Sequence, residues 1–167
     1  MPRLLHRAVP AGRWLLIVLF AWHAPGALAV HPGPMTDAEI ALTPPYCRDT
    51  MFFAGYGDKH GNTSPRAAYW VRLMGEGFWA MHHYCWTVVY LMRAARLTTT
   101  ERDRQFAYLD AYGDLSFAIE NGIKLSGPNF VLLPELYVKF AENFRRMKKD
   151  GEALAAYRKA IAAKPDY

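Results

Sequence analysis

Apolar residues in the second half of the chain recur at helical spacing. Ser64-Pro65 is a typical helix start, and a first helix is predicted to run from there to about Met74, where Gly75-Glu76-Gly77 interrupts it. The second helix, at about 78–97, is apolar on nearly every side, which is typical of a helix that is buried in a core.

Three further helices are predicted after this one. The third is expected to run from about Glu101 to Asn121-Gly122, where the glycine can end it. The fourth is expected to begin at Pro134, and the fifth after a turn at Asp150-Gly151. The predicted apolar face of the third helix consists of Phe106, Leu109, Tyr112 and Leu115. No segment alternates apolar and polar residues at the period of a strand, so the sequence predicts an all-α fold with a helical domain at 67–167.

The segment at 30–66 has a different composition. It is rich in proline and glycine, and a short helix is expected only at about 36–42. Because it also carries several aromatic residues and methionine, it is too apolar for a disordered tail. We expect an irregular segment that packs on the helices.

The last two predicted helices carry a recognisable pattern of apolar and small residues. The pattern is Tyr137-x₂-Phe140-Ala141-x₂-Phe144, then Ala153-x₃-Tyr157-x₂-Ala160, then Pro165. Residues 134–165 thereby resemble one tetratricopeptide repeat, a helix–turn–helix of 34 residues. A degenerate second repeat is expected at 78–122. The resemblance implies a fragment of an α-solenoid that binds a protein or peptide in a helical groove and has no chemistry of its own.

The first 29 residues are typical of a bacterial export signal. Arg3, Arg7 and Arg13 accompany an apolar run at 14–22, and Ala27-Leu28-Ala29 provides a small-x-small cleavage site. We expect cleavage after Ala29, no membrane span afterwards, and a periplasmic or secreted mature protein. An uncleaved anchor is the alternative.

The charge balance argues against a nucleic-acid partner. The chain has a formal net charge of +5 from 20 basic and 15 acidic residues. Three of the basic residues lie in the predicted signal, so the rest carries 17 basic against 15 acidic residues, a net of +2. A balance this close to zero is not typical of a protein that binds a polyanion.

The two cysteines, Cys47 and Cys85, are expected to form a disulfide, because an even number in an oxidising compartment favours pairing. The alternative is a zinc or copper site made by His82, His83 and Cys85 with Cys47 or His60. Adjacent histidines on a helix point about 100° apart, which opposes this alternative. No cofactor is expected.

Two questions about function stay open in the sequence. An enzyme would have to use acidic and imidazole groups, but no nucleophile elbow, metalloprotease helix or phosphate loop accompanies them, so a non-enzymatic protein is expected. Those groups are Asp58, His60, Glu76, His82 and His83.

A stripe at helical spacing is either a binding face or, by the preferred interpretation, part of the core. It consists of Trp79, His83, Trp86 and Tyr90.

The last helix is expected to leave Leu154 and Ile161 exposed, together with part of Tyr157. Exposed apolar surface of this kind usually marks an interaction site. The sequence therefore predicts self-association or partner binding through this C-terminal face. The alternative is that residues 30–66 fold back over it.

Overall fold

The computed structural model describes residues 33–50, 53, 64–96 and 98–164, and this part of the chain contains six α-helices, two 3₁₀ turns and no strand. In chain order the elements are α1 (Asp37–Ala41), a 3₁₀ turn at Pro45–Asp49, α2 (Ala67–Met74), a 3₁₀ turn at Glu76–Ala80, α3 (Met81–Ala94), α4 (Glu101–Ser126), α5 (Leu133–Arg146) and α6 (Asp150–Ala163). The all-α prediction is confirmed. Among these helices none has both the length and the apolar character that a membrane span requires.

Consecutive long helices lie side by side and antiparallel. The α3 helix packs along α4, α4 along α5, and α5 along α6. Most residues of α3 are buried, because α4 covers one side while α1 and the first 3₁₀ turn contact another. The core is therefore centred on α3, as its continuous apolar sequence predicts.

The N-terminal part is attached to α3 covalently and electrostatically. The predicted disulfide is present: Cys47 and Cys85 are both fully buried and bonded, with their Cα atoms 5.6 Å apart. Glu39, which forms a capping box with Thr36, accepts hydrogen bonds from Arg93 on α3. These ties hold α1 and the first 3₁₀ turn against the core.

A buried carboxylate provides a third attachment. Asp49 accepts hydrogen bonds from Ser64 Oγ at 2.5 Å and from Trp70 Nε1 at 2.6 Å. Trp70 belongs to α2, so Asp49 joins the end of the first 3₁₀ turn to that helix. Because both carboxylate oxygens have a donor, the burial of this charge is compensated.

The connection between α4 and α5 corrects the predicted end of the third helix. Instead of ending at Asn121-Gly122, α4 continues to Ser126 and ends at Gly127, whose φ is +82°. Gly122 lies inside the helix because Phe130, only 2% exposed, packs on its bare backbone. Gly77 in the second 3₁₀ turn receives the other edge of the same ring.

The predicted turn at Asp150-Gly151 is also wrong, because both residues belong to the first turn of α6. The turn that ends α5 is made by Lys148, two residues after the last helical residue Arg146, and Lys148 has a φ of +60°. The amide of Lys149 donates to the carbonyl of Phe144, and that of Lys148 to the carbonyl of Arg145, both at 2.9 Å. This is a Schellman motif in which lysine occupies the position that usually belongs to glycine.

The predicted apolar face of the third helix is only partly inside. Leu115 is fully buried against the core, but Tyr112 is 39% exposed, Phe106 52% and Leu109 49%. The side of α4 that faces the core is marked by its buried residues Ala111, Leu115 and Ala118, and Phe106 and Leu109 lie off this side. Tyr112 still stacks on Phe140 of α5, at 5.4 Å between ring centroids.

Candidate functional site

An open groove of about 250 Å³ lies between α3 and α5. Its floor belongs to α3, where four residues at helical spacing follow one another along one side of the helix. The lining residues are Val88, Leu91 and Met92 from α3, Ala95 at the C-cap of that helix, and Lys139 and Arg146 from α5. The groove is therefore apolar on one wall and basic on the other.

The two walls are held together at one end by a polar contact. Tyr84, one turn before Val88, donates its hydroxyl to Glu135 Oε1 at 2.6 Å. Glu135 lies in the first turn of α5, so this bond fixes the start of α5 against α3. The groove opens from there towards the C-terminal ends of α3 and the last turn of α5.

The basic wall carries a net positive charge. Lys139 Nζ lies 2.8 Å from Glu142 Oε2, and Arg146 Nη1 lies 3.8 Å from the same oxygen. One carboxylate thus serves two cations, and Arg145 stands beside Arg146 on the adjoining surface, next to Asp150. A partly neutralised cation pair of this kind can still accept an acidic group from solution.

Sequence reasoning missed every residue of this groove. Met92 and its neighbours lie on a helix that is apolar on nearly all sides, so the pattern cannot show which side stays open. Lys139 and Arg146 look like ordinary surface cations of an amphipathic helix. Only the folded arrangement, in which α3 and α5 both pack on α4, brings the two walls together.

The aromatic stripe lies elsewhere, in the core between α3 and α4. His83 and Trp86 are each 6% exposed and Tyr90 is 8% exposed, whereas Trp79 is partly exposed. Burial raises the pKa of the Tyr90 hydroxyl above its ordinary value, and the negative charges of Asp114 and Asp110 raise it further. This placement matches the core interpretation and leaves little of the stripe for a partner.

The histidine pair is buried and neutral near pH 7. Burial lowers the pKa of His82 to about 3, with a further contribution from His83, and burial lowers that of His83 to about 4. His82 Nδ1 lies 2.9 Å from the carbonyl oxygen of Trp79, and His83 Nδ1 lies 2.7 Å from Asp114 Oδ1. Asp114 is fully buried on α4, and no pattern in the sequence indicates this partner 31 residues away from His83.

The remaining candidates for chemistry do not come together. Cys47 and Cys85 are bonded to each other, so neither offers a thiolate to a metal. Asp58 and His60 lie outside the described residues, and the exposed Glu76 accepts a hydrogen bond from Trp79 Nε1. Within the described part of the chain, no three histidine, cysteine or acidic side chains are placed to hold a metal ion.

The residues of the repeat pattern lie where α5 meets α6. Ala141, Ala153 and Ala160 are at most 3% exposed and let the two helices approach closely. The larger side chains of the pattern, Tyr137, Phe140, Phe144 and Tyr157, pack around these alanines. Pro165 lies outside the described residues.

No protein-family model, curated protein or solved structure matches this chain. The resemblance to a tetratricopeptide repeat therefore stays a prediction from the residue pattern.

Proposed function

We propose that this chain is an exported, non-enzymatic binding protein that holds a segment of a partner protein in the groove between α3 and α5. The observation that carries the proposal is the open groove itself, with an apolar floor on α3 and two cations, Lys139 and Arg146, on the opposite wall. It is the one place described above where exposed apolar and charged groups face the same space.

The floor fits an apolar side chain of the partner. Val88, Leu91 and Met92 are each only partly exposed, so their outer surfaces already form a shallow depression. Burying a side chain of leucine size contributes about 2 kcal/mol. A single anchor of this size supports weak and reversible binding, which suits recognition of a short segment.

The basic wall determines which residue of the partner can lie next to its apolar side chain. Lys139 and Arg146 together carry two positive charges, against one negative charge from Glu142. An acidic residue of the partner, near its apolar anchor, would complete the pairing. The proposed partner is therefore a protein segment in which an apolar residue is close to aspartate or glutamate.

Two further features support an exported scaffold. The repeat pattern at 134–165 implies helices packed in pairs, with a groove between alternate helices. The disulfide between Cys47 and Cys85 suits an oxidising compartment. Mass spectrometry of the exported protein should find Val30 at its N-terminus, and an intact Met1 on the mature form would contradict the export route.

The groove is tested by selecting peptides from a random displayed library on the purified, oxidised mature protein. We expect the selected peptides to share an apolar residue beside an acidic one. The substitution Ala95→Trp should fill the exposed end of the groove and weaken binding by about tenfold or more, since it blocks the anchor site. Ala68→Trp, an equally bulky change at an exposed position of α2, is the matched control and should bind normally.

A second variant tests the charge preference. Lys139→Gln should weaken the binding of acidic peptides about threefold to tenfold and reduce the salt dependence of binding. Lys124→Gln, at an exposed position of α4, should change neither quantity. Failure to enrich any peptide, or equal binding by wild type and Ala95→Trp, would overturn the proposed function.

A further inference from the structure

A second pocket, of about 500 Å³, lies at the end of α5, where the chain turns into α6. It is lined by Glu142, Arg145 and Arg146 from α5 and by Asp150 from the first turn of α6. Arg146 also lines the α3–α5 groove, so the two cavities share one guanidinium group. A ligand that leaves the groove at Arg146 therefore enters this pocket.

The groove leads towards the pocket because α3 and α5 run in the same direction, each packed antiparallel on α4. Tyr84 and Glu135, which form the hydrogen bond at the closed end of the groove, are 51 residues apart. The same separation relates Ala95 to Arg146 at the open end. The two walls thus advance together along the groove, and both end beside the pocket.

The groove has the length of a short extended segment. From Val88 to Ala95, and from Lys139 to Arg146, each helix advances by seven residues, which is about 10.5 Å. An extended chain covers about 3.3 Å per residue, so about three residues of a partner span this distance. A partner residue beside Lys139 is therefore about three positions away from one that reaches Arg146.

The two guanidinium groups of the pocket are poorly paired with its two carboxylates. Glu142 lies 2.8 Å from Lys139 in the groove and 3.8 Å from Arg146. Among the described residues, Arg145 has no carboxylate within 4 Å, although Asp150 lines the same pocket. Adjacent guanidinium groups that lack close acidic partners suit an acidic side chain, which they can bind through two parallel hydrogen bonds.

The pocket is distinct from the predicted C-terminal face of α6. Leu154 and Ile161 do not line it, and they are 51% and 61% exposed. The N-terminal helix α1 packs on α3 rather than over these two residues. Binding of a partner or of a second copy through that face stays a prediction.

We infer that the groove and this pocket form one site, which recognises an extended partner segment with two acidic residues about three positions apart. The inference rests on the proposed function, because the apolar residue of the partner and the first acidic residue beside it bind in the groove. The first acidic residue pairs with Lys139, and the second pairs with Arg145 and Arg146 in the pocket. Ala95, small and exposed at the open end, leaves room for the segment to pass.

The position of Glu142 adds a second element of specificity. It stands between Lys139 and Arg146 along α5, so its negative charge faces the middle of the bound segment. Like charges at close range disfavour binding. The residues between the two acidic positions of the partner are therefore expected to be neutral or basic.

The test uses peptides that the displayed library selects on the purified, oxidised mature protein, synthesised with acetylated and amidated ends. Most selected sequences should contain a second acidic residue about three positions from the first. Replacing that second residue by its amide should weaken binding about threefold to fivefold, the upper range for an exposed ion pair. It should also reduce the salt dependence of binding.

Variants of the pocket distinguish it from the groove. Arg145→Gln should weaken the two-acid peptide about threefold and leave its amide-substituted version unchanged, because Arg145 lies outside the groove. Asp150→Asn should strengthen the two-acid peptide, since it removes a negative charge from the pocket. Arg158→Gln and Glu152→Gln, at exposed positions of α6, are the matched controls and should change neither affinity.

Selected peptides with a single acidic residue would overturn the inference and leave the proposed function in place. The same holds if Arg145→Gln binds the two peptides in the same ratio as wild type. A peptide that needs a free carboxyl end instead of the second acidic residue would assign the pocket to a chain terminus and would also overturn the inference. Failure to enrich any peptide would overturn the proposed function and this inference together.

Discussion

Replacing Gly122 by alanine should destabilise the protein, although the same change in an open helix is favourable. A Cβ at Gly122 would stand 2.7 Å from Cδ1 and 2.8 Å from Cε1 of Phe130, whereas carbon atoms in contact prefer about 3.5–4.0 Å. The ring cannot move away, because its other edge already packs closely on Gly77: a Cβ placed at that glycine would lie 2.7 Å from the ring. Overpacking of this kind costs about 1–3 kcal/mol, and the gain in helix propensity returns about 1 kcal/mol. We expect a net loss of about 1 kcal/mol.

Urea unfolding of the oxidised mature protein, followed by tryptophan fluorescence, measures this loss. Gly151→Ala is the control, because that helical glycine has open space around it and should gain about 0.5–1 kcal/mol. Phe130→Leu in the Gly122→Ala background should recover part of the loss, giving a favourable coupling energy in the double-mutant cycle. If Gly122→Ala stabilises the protein as much as Gly151→Ala does, the packing argument is wrong.

Three other predictions concern the turn, the disulfide and the histidines. Lys148→Gly should raise the urea midpoint, with a gain of about 0.5–1 kcal/mol, because glycine adopts the positive φ of this position at little cost; no gain would mean that the lysine side chain compensates elsewhere. The variant Cys47→Ala with Cys85→Ala should lose about 2–4 kcal/mol in the same assay, and an unchanged midpoint would deny the disulfide any role in stability. His82 has a folded pKa of about 3, against about 6.5 when unfolded, so the stability that it contributes is fully present above about pH 6.5 and is lost as the pH falls towards 3. Urea midpoints from pH 7 to pH 4 should therefore fall less steeply in His82→Gln than in wild type, and parallel curves would contradict this.

The broad fold was predictable because its signals are local. Continuous apolar sequence marked α3 as the central helix, and the absence of strand alternation excluded a sheet. The disulfide followed from the number of cysteines and from the predicted compartment. Each of these inferences uses only composition or nearest neighbours along the chain.

The errors arise where a distant residue decides the local conformation. Gly122 looks like a helix end in sequence, and only the ring of Phe130 explains why the helix continues through it. Asp150-Gly151 looks like a turn, but the turn is made by Lys148, a residue without the usual turn preference. Phe106 and Leu109 have the spacing of a core face, yet the side of α4 that packs on the core is the one with Ala111, Leu115 and Ala118.

The candidate groove depends wholly on tertiary packing. Whether the outer side of Met92 lines a groove depends on where α5 lies relative to α3, and that placement depends partly on the bond between Tyr84 and Glu135, which lie 51 residues apart. The exposed residues of α6 were easier to predict, because they needed only the pattern of a single helix.

The attachments of the N-terminal segment have a consequence for its dynamics. The disulfide opens only under reducing conditions, whereas the Glu39 carboxylate, whose pKa the hydrogen bond from Arg93 lowers to about 2, loses its charge only in strong acid. The hydrogen bonds that Asp49 accepts depend neither on a reductant nor on the Glu39–Arg93 ion pair. Amide hydrogen exchange in α1 should therefore report breaking of the ion pair, while exchange near Cys47 should stay slow until the disulfide is reduced. The segment can thus loosen at one end while its other end keeps the core closed to water.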